Sequence, residues 1–493
     1  MVNSVENSNI APSQQQGKRL ASLDFQRGLA IWIMTLLHSF EHLYDYGWVK
    51  KNPESIFDLP KIVLIVGLFI GFFASFNSYF LLISSTVNAL SVSRKVAGKK
   101  MTLNQVITKQ ILTGIALVVI SILNSAFGYR GYIGTSLRTG NWGNITPMWK
   151  DIFTIHTLEI IGWSIVINAI ILGLLFQNEG VKKLKRNLLI YAGLFLGIVI
   201  ATPFIHTWID NLAWSVPTNP PEELADPYSW PSPYFQYYNA SFKAWLCKIL
   251  AGDMEPFFPY LATSFAGSII GLSLAQDNPP KKLSLYGAIG AGGCMGFGGL
   301  FIGLNMYNLS NHRSRLGNYL LLLGAQIGIV MLLLWLVEFR GKSNVFAQRP
   351  IVKHFRLWGM VSLSIYCLQI IEIFPRWLLT IFLGLFSTPI NLLESSVFGF
   401  GQEYLAVLVS IYIICFFEFI VYLWSQSDFK FSFEWFIIRL ASLSSNKISN
   451  RLDVDLLMNK MNWYDYTIPK TQKDSDKKSL AEAVKTSNLD KKS

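Results

Sequence analysis

The sequence predicts an all-α polytopic integral membrane protein, a bundle of about ten or eleven transmembrane helices. Three observations predict it. Apolar stretches recur along the 493 residues, each near the ~20 residues that cross a bilayer. Charged residues are scarce, 15% of the chain against about 25% in soluble domains. Hydrophobic residues reach 52%, and the mean hydropathy is +0.37. A soluble chain this apolar would expose large greasy patches. A soluble enzyme, a disordered chain and a disulfide scaffold are therefore excluded. The 4 cysteines have no CxxC spacing, so no structural zinc site or disulfide framework is expected.

The elements follow in order. Residues 1–17 are polar, lack the apolar core of a signal peptide, and read as a disordered tail. Residues 18–426 form the multi-span domain. Its spans are expected near 25–44, 62–90, 104–128, 152–177, 187–206, 256–275, 284–307, 318–338, 357–372 and 402–425. The stretch 376–400 is apolar but broken by Pro389, Glu394 and several glycines. It reads as re-entrant or interfacial; as a full span it would make eleven. Within 427–493, residues 429–444 suit an amphipathic segment on the membrane surface. From about Asn450 a polar, Lys-rich tail is expected to be disordered.

Loop charge sets the orientation. With the N-terminus inside, the inner segments hold 17 basic residues in 72 positions and the outer ones 11 in 129. Positive charge collects on the cytoplasmic side, so both termini are expected there, most naturally in a plasma membrane. The net charge of +12 then faces anionic lipid and metabolites rather than nucleic acid.

Polar residues within spans are costly and usually face protein or water. In the first span Arg27 and His38 are eleven positions apart, so they share a helix face about 16 Å apart along the axis. Asp24, Glu41 and His42 lie on the same broad stripe. The face thus carries charge at its inner end, and imidazole and carboxylate at its outer end. Asp24 reads as a structural partner of a neighbouring cation. In the fourth span His156 and Glu159 are three apart and share a face, where a carboxylate can set the imidazole's tautomer. The structural alternative is a polar contact between helices. Asn77, Tyr366 and Gln369 are suited to line a polar cavity, or to join helices by hydrogen bonds. Gly292/Gly296 and Gly299/Gly303 have the small-xxx-small spacing of close helix packing. The loop 207–255 is rich in rings, among them Trp214 and Trp230. These suit either a sugar-like acceptor or an interfacial aromatic belt.

The first span, RLASLDFQRGLAIWIMTLLHSFEHLYDY, resembles the opening of the heparan-α-glucosaminide N-acetyltransferase-like transmembrane acyltransferases. The likeness extends weakly through IFTIHTLEIIGWSIVI, PYLATSFAGSIIGLSLAQ and RLWGMVSLSIYCLQ. The spacing from Arg27 to His38 is also similar to that in acyltransferase-3 type membrane O-acyltransferases and glucan succinyltransferases. Some relatives carry Asn in place of His38, and several carry His in place of Glu159. The resemblance implies transfer of an acyl group, most simply acetyl, from cytosolic acyl-CoA to a glycan hydroxyl or amine outside. It implies no tightly bound cofactor and no metal; acyl-CoA is a co-substrate. Membrane lipid, acyl-CoA and a carbohydrate acceptor are the expected partners, and a homodimer is compatible with the chain.

The residues make chemical sense of that reaction. His38, His156, Glu159 and Arg27 are the candidates for catalysis, since imidazole titrates in the range a general base needs. Glu41, His42, Trp214 and Trp230 are candidates for acceptor binding. Arg27, Arg94, Lys95, Lys99 and Lys100 are candidates for the polyanionic donor. Asn77, Tyr366 and Gln369 are candidates for stabilising an oxyanion. The rival reading is a proton-coupled transporter of a small polar or sugar-like solute, which would also use intramembrane His and Glu.

Overall fold

Helices dominate because, in lipid, each backbone N–H and C=O must find its partner within the chain. The computed structural model describes residues 18–45, 61, 78–143, 156–211, 242–252, 255–276, 279–280, 282–304, 315–386, 390–443 and 451–467. In chain order the main helices are α1 (Ala21–Leu43), α2 (Tyr79–Ala97), α3 (Leu103–Phe127), α4 (Tyr132–Thr139), α5 (Thr157–Phe176) and α6 (Leu184–Asn211). Then come α7 (Phe242–Ala251), α8 (Phe257–Leu274), α9 (Leu283–Gly303), α10 (Leu316–Val337) and α11 (Ser343–Gln348). The last are α12 (Pro350–Met360), α13 (Ser362–Cys367), α14 (Ile373–Gly384), α15 (Glu403–Ser425) and α16 (Phe433–Ser442).

Among the described residues, 8 runs are long and apolar enough to cross a bilayer. They are Leu103–Thr139, Thr157–Phe176, Leu184–Ile209, Phe257–Leu274, Leu283–Gly303, Leu316–Val337, Ser362–Gly384 and Glu403–Ser425. The protein is an all-α polytopic integral membrane protein. The more polar α1 is lodged among α12, α15 and α10, where its charged stripe meets protein. The expected span 62–90 is described only from Ser78, and its helix continues to Ala97.

Two apolar clusters organise the interior. One joins α2, α5, α6, α8 and α10, with α8 at its centre; nearly every α8 side chain is buried. The other joins α1, α12, α13 and α15 with the C-terminal segment. Small residues set the tightest approaches. A Cβ on Gly28 of α1 would lie 1.5 Å from the Phe355 carbonyl oxygen of α12. Gly114 of α3 and Gly162 of α5 meet in the same way: a Cβ on either would lie within 3 Å of the other's carbonyl oxygen. The sequence pairs Gly292/Gly296 and Gly299/Gly303 do not: a Cβ on any of the four would meet nothing within 4 Å. The close α9–α10 approach runs instead through Gly287, Gly298 and Gly324, because the other glycines lie on the far face of α9.

The helical run from Pro350 to Gly384 is broken twice, and both breaks matter. Val361 is non-helical and separates α12 from α13. The amides so freed need acceptors. Glu434 of α16 supplies them, accepting from Leu363 N at 2.7 Å and Ser364 N at 3.3 Å, and from Ser364 Oγ at 2.5 Å. Residues Leu368–Glu372 then tighten into a 3-10 helix before α14 begins. The expected ninth span 357–372 and the interfacial stretch from 376 thus belong to one interrupted helical run, which α14 ends with Phe374, Trp377, Ile381 and Phe382 exposed.

The tail departs from expectation after Asn450. Residues 451–467 fold back onto the Asp24 end of the bundle. Arg19 N donates to Asn462 O at 3.1 Å, and Tyr464 N donates to Arg19 O at 2.9 Å. Tyr466 N reaches Glu338 O at 3.2 Å. Trp463 is buried, and the Arg356 guanidinium lies 4.3 Å from its ring centroid. Buried apolar residues Leu452, Leu457, Met458 and Trp463 hold this segment down, a pattern that net polarity conceals.

Candidate functional site at the histidine end of the first helix

The interrupted helix runs beside α1 in the same direction, and its geometry sets the site. In an α-helix four residues rise about 6 Å; in a 3-10 helix three residues do. His38 and His42, four apart on α1, therefore match Gln369 and Glu372, three apart in the 3-10 segment. Residues i and i+3 eclipse in a 3-10 helix, so both side chains leave on the same side. His38 Nδ1 lies 2.9 Å from Gln369 Oε1, and His42 Nδ1 lies 2.7 Å from Glu372 Oε1. In an ordinary α-helix, three residues rise only about 4.5 Å, short of the spacing between His38 and His42.

The amide oxygen of Gln369 is only an acceptor, so His38 donates from Nδ1. Its Nε2 is left as the basic nitrogen, with no hydrogen bond among the described residues. His38 is half-buried. The Gln369 amide nitrogen is buried beside it and has no hydrogen-bond partner among the described residues.

His42 belongs to a deeper network. Glu372 also accepts from Ser39 Oγ at 3.3 Å and from Arg376 Nη1 at 3.1 Å, one turn on in α14. Arg376 is fully buried. It donates to Leu392 O at 2.6 Å, to Glu394 O at 2.8 Å and to the Tyr129 hydroxyl. The Tyr129 ring stacks on His42 with centroids 3.8 Å apart, and the Arg138 guanidinium covers it at 4.5 Å. Every member of this buried ion network has a partner, which is the condition for such a network to hold. Glu41 is more exposed and pairs with Arg130 at 2.9 Å. Tyr366 is half-buried, packed against the cluster around α1 and α15 and against a smaller one of Leu117, Leu158, Ile165 and Cys367.

His156 caps the start of α5, and Glu159 in its first turn is fully buried. No hydrogen bond, ring contact or ion pair joins either residue to His38 or His42. Glu255, just before α8, is also fully buried, and among the described residues no group other than the nearby Thr157 hydroxyl approaches its carboxylate as a partner. Burial pushes its carboxyl up to about 8, slightly eased by the Thr157 hydroxyl. Asn77, Trp214 and Trp230 lie outside the described residues.

The opposite end of α1 is cationic. Asp24 pairs with Arg19 at 2.7 Å and with Arg27 at 3.7 Å, as the structural reading expects. Arg27 Nε also donates to Gly359 O at 2.8 Å, across the close Gly28 contact. Arg94 is engaged by protein. It donates to Leu274 O at 2.7 Å and to the Tyr466 hydroxyl at 3.4 Å, and lies over the Tyr464 ring at 3.7 Å. Lys95 has no hydrogen-bond or ion-pair partner among the described residues. Lys99 and Lys100 stand exposed in the turn that follows α2.

Sequence reasoning placed His38 and His42 on one stripe and proposed Gln369, but it missed Glu372, Arg376 and Tyr129. The signal for the first two was an acid–base pair at i, i+4 within an otherwise apolar run. Tyr129 carried no such signal. No known family model and no curated protein matches this chain.

Proposed function

We propose that the chain is a membrane acyltransferase that moves an acyl group, most simply acetyl, from cytosolic acyl-CoA to a hydroxyl or amine of a glycan-like acceptor at the outer face. The observation that carries this reading is His38. It stands at the His42 end of α1, with Nδ1 held by Gln369 and Nε2 available, in a helix whose other end is cationic. In this reading the acceptor's O–H or N–H gives its proton to His38 Nε2 as the acceptor atom attacks the thioester carbonyl. The new bond forms and negative charge builds on the carbonyl oxygen. The Gln369 amide nitrogen is a nearby donor that no group among the described residues uses. Collapse breaks the C–S bond, and the imidazolium proton goes to the departing thiolate. His42, Glu372, Arg376 and Tyr129 fix the helix register that holds His38 and Gln369 together. Glu41 and Arg130 lie at the acceptor's approach.

A second reading draws on the His42–Glu372–Arg376 network, since buried intramembrane His–Glu pairs also serve proton-coupled transport. The readings separate in one experiment. Membranes carrying the protein are incubated with radiolabelled acetyl-CoA and an acceptor glycan. Label in the glycan supports transfer. Acetyl-CoA that neither labels an acceptor nor raises the thermal stability of the purified protein favours transport.

A further inference from the structure

Two arginines at the Asp24 end carry charge that no carboxylate meets. Arg94, in the last turn of α2, donates to Leu274 O at 2.7 Å and to the Tyr466 hydroxyl at 3.4 Å. Arg356 of α12 is buried and donates to Ala347 O at 3.0 Å and to Leu457 O. Among the described residues neither arginine makes an ion pair, and the Nε of each is buried without a hydrogen-bond partner. A buried cation ordinarily keeps a carboxylate beside it. Here a ring of the C-terminal segment covers each guanidinium instead. The Tyr464 ring centroid lies 3.7 Å from Arg94, and that of Trp463 lies 4.3 Å from Arg356.

The two rings are consecutive in the chain and sit on a narrow strip, residues 462–467. Trp463 forms an isolated parallel bridge with Arg19. Arg19 N donates to Asn462 O, Tyr464 N to Arg19 O and Tyr466 N to Glu338 O, and Ser343 Oγ donates to Tyr464 O at 2.7 Å. The Tyr464 and Tyr466 rings stack with centroids 5.9 Å apart and planes 4° apart. Tyr466 in turn packs on Phe339, in the turn after α10, at 5.1 Å. Within the strip only Trp463 is buried. The residues before it are anchored separately by buried Leu457 and Met458. The strip can therefore leave while the rest of the tail stays, and Arg94, Arg356 and Phe339 remain behind.

We propose that residues 462–467 are an autoinhibitory strap lying in a nucleotide site. A purine nucleotide with more than one phosphate displaces the strap. Its flat ring packs on Phe339 in place of Tyr466, and its phosphates supply the anions that the Arg94 and Arg356 forks lack. The strap belongs to the same chain, so it competes at a high effective concentration, and the site fills only when nucleotide is abundant. Loop charge assigns this end to the cytosol, where nucleotides are found. The chemistry has two sources. One is the nucleotide portion of the acyl donor, in which case the site rests on the transfer reading. The other is a free nucleotide, in which case it stands apart from that reading.

The test follows amide hydrogen exchange in the full chain in nanodiscs, with CoA or ADP and without acceptor. The Tyr464 and Tyr466 amides are hydrogen-bonded in the closed strap and should exchange slowly. Saturating nucleotide should speed their exchange, whereas a merely structural segment would be unmoved or further protected. Tyr464→Ala with Tyr466→Ala weakens the competitor and should tighten nucleotide binding roughly fivefold. In that background Arg94→Gln should weaken binding roughly tenfold, and Arg94→Lys less, because the fork is lost but the charge is kept. Tighter binding of CoA than of ADP assigns the site to the donor, and the reverse order assigns it to a free nucleotide. Both readouts are independent of acyl transfer, so a chain that releases its strap yet transfers nothing would fail the transfer reading alone. Exchange at Tyr464 and Tyr466 that neither CoA nor ADP accelerates would overturn the strap. So would a double tyrosine variant that binds nucleotide no better than the parent.

Discussion

Replacing Arg376 with Met should show how much the buried network at the histidine end contributes. Met keeps much of the volume and removes the guanidinium. Glu372 is then left buried with only His42 and Ser39, and the carbonyl oxygens of Leu392 and Glu394 lose their donor. Breaking a buried ion pair from one side typically costs about 3–5 kcal/mol, because the remaining charge is uncompensated. Full burial of Arg376 places the expected loss in that range. Adding Glu372→Gln removes the stranded charge, so the double variant should recover part of the loss. The coupling between the two positions should be roughly 2 kcal/mol. Denaturant titration of purified protein in mild detergent, on the parent, both single variants and the double, gives all four corners of the cycle. Losses that simply add, to within about 0.5 kcal/mol, would refute the network as described. So would an Arg376→Met variant as stable as the parent.

Gly28→Ala should destabilise by about 3 kcal/mol or more, since its Cβ would fall 1.5 Å from the Phe355 carbonyl oxygen and 3.0 Å from Gly359 N, and backbone cannot yield as a side chain can; the same titration reads it, and a neutral effect would contradict the α1–α12 contact. Glu255 titrates near 8 in the folded protein against an ordinary 4.5, so the folded state keeps a proton that the unfolded state releases. Its contribution is fully present below the ordinary value and is lost as pH rises through about 8, at up to about 1.4 kcal/mol per unit. Apparent melting temperatures between mildly acid and mildly alkaline pH should therefore fall less steeply in Glu255→Gln than in the parent, and identical slopes would contradict the buried, unpaired carboxyl. For the orientation, Asn141→Cys should react with an impermeant thiol reagent on intact cells and Lys99→Cys should not, both positions being exposed; the reverse pattern would place the histidine end inside.

The helical bundle was legible because lipid leaves few alternatives to apolar helices of bilayer length. The stripe on α1 was legible because helical period alone places Asp24, Arg27, His38 and His42. What faces the stripe was not. Gln369 and Glu372 match the rise between the two histidines where Val361 interrupts the helix and residues 368–372 tighten to three per turn. That break depends on Glu434, more than sixty residues on, which no local pattern announces. His42 looked like an acceptor contact, yet it is the buried partner of Glu372, because Arg376 and Tyr129 close over it from other elements. The glycines of α9 carried a correct motif on the wrong face, since spacing does not say which side of a helix has a neighbour. The tail looked disordered by composition, yet four buried apolar side chains hold residues 451–467 against the bundle.

Acyl transfer by the His38→Ala variant, compared with the parent under saturating acetyl-CoA, bears most directly on the proposed chemistry. The side chain is half-buried, and its one hydrogen bond among the described residues is to Gln369, so the truncation should cost no more than about 1–3 kcal/mol of stability. Loss of a general base should lower turnover a hundredfold or more. The expected result is a folded protein that binds acetyl-CoA like the parent and transfers label at least a hundred times more slowly, with His156→Ala much less affected. Full turnover in His38→Ala would contradict the assignment and move the base to His156 and Glu159.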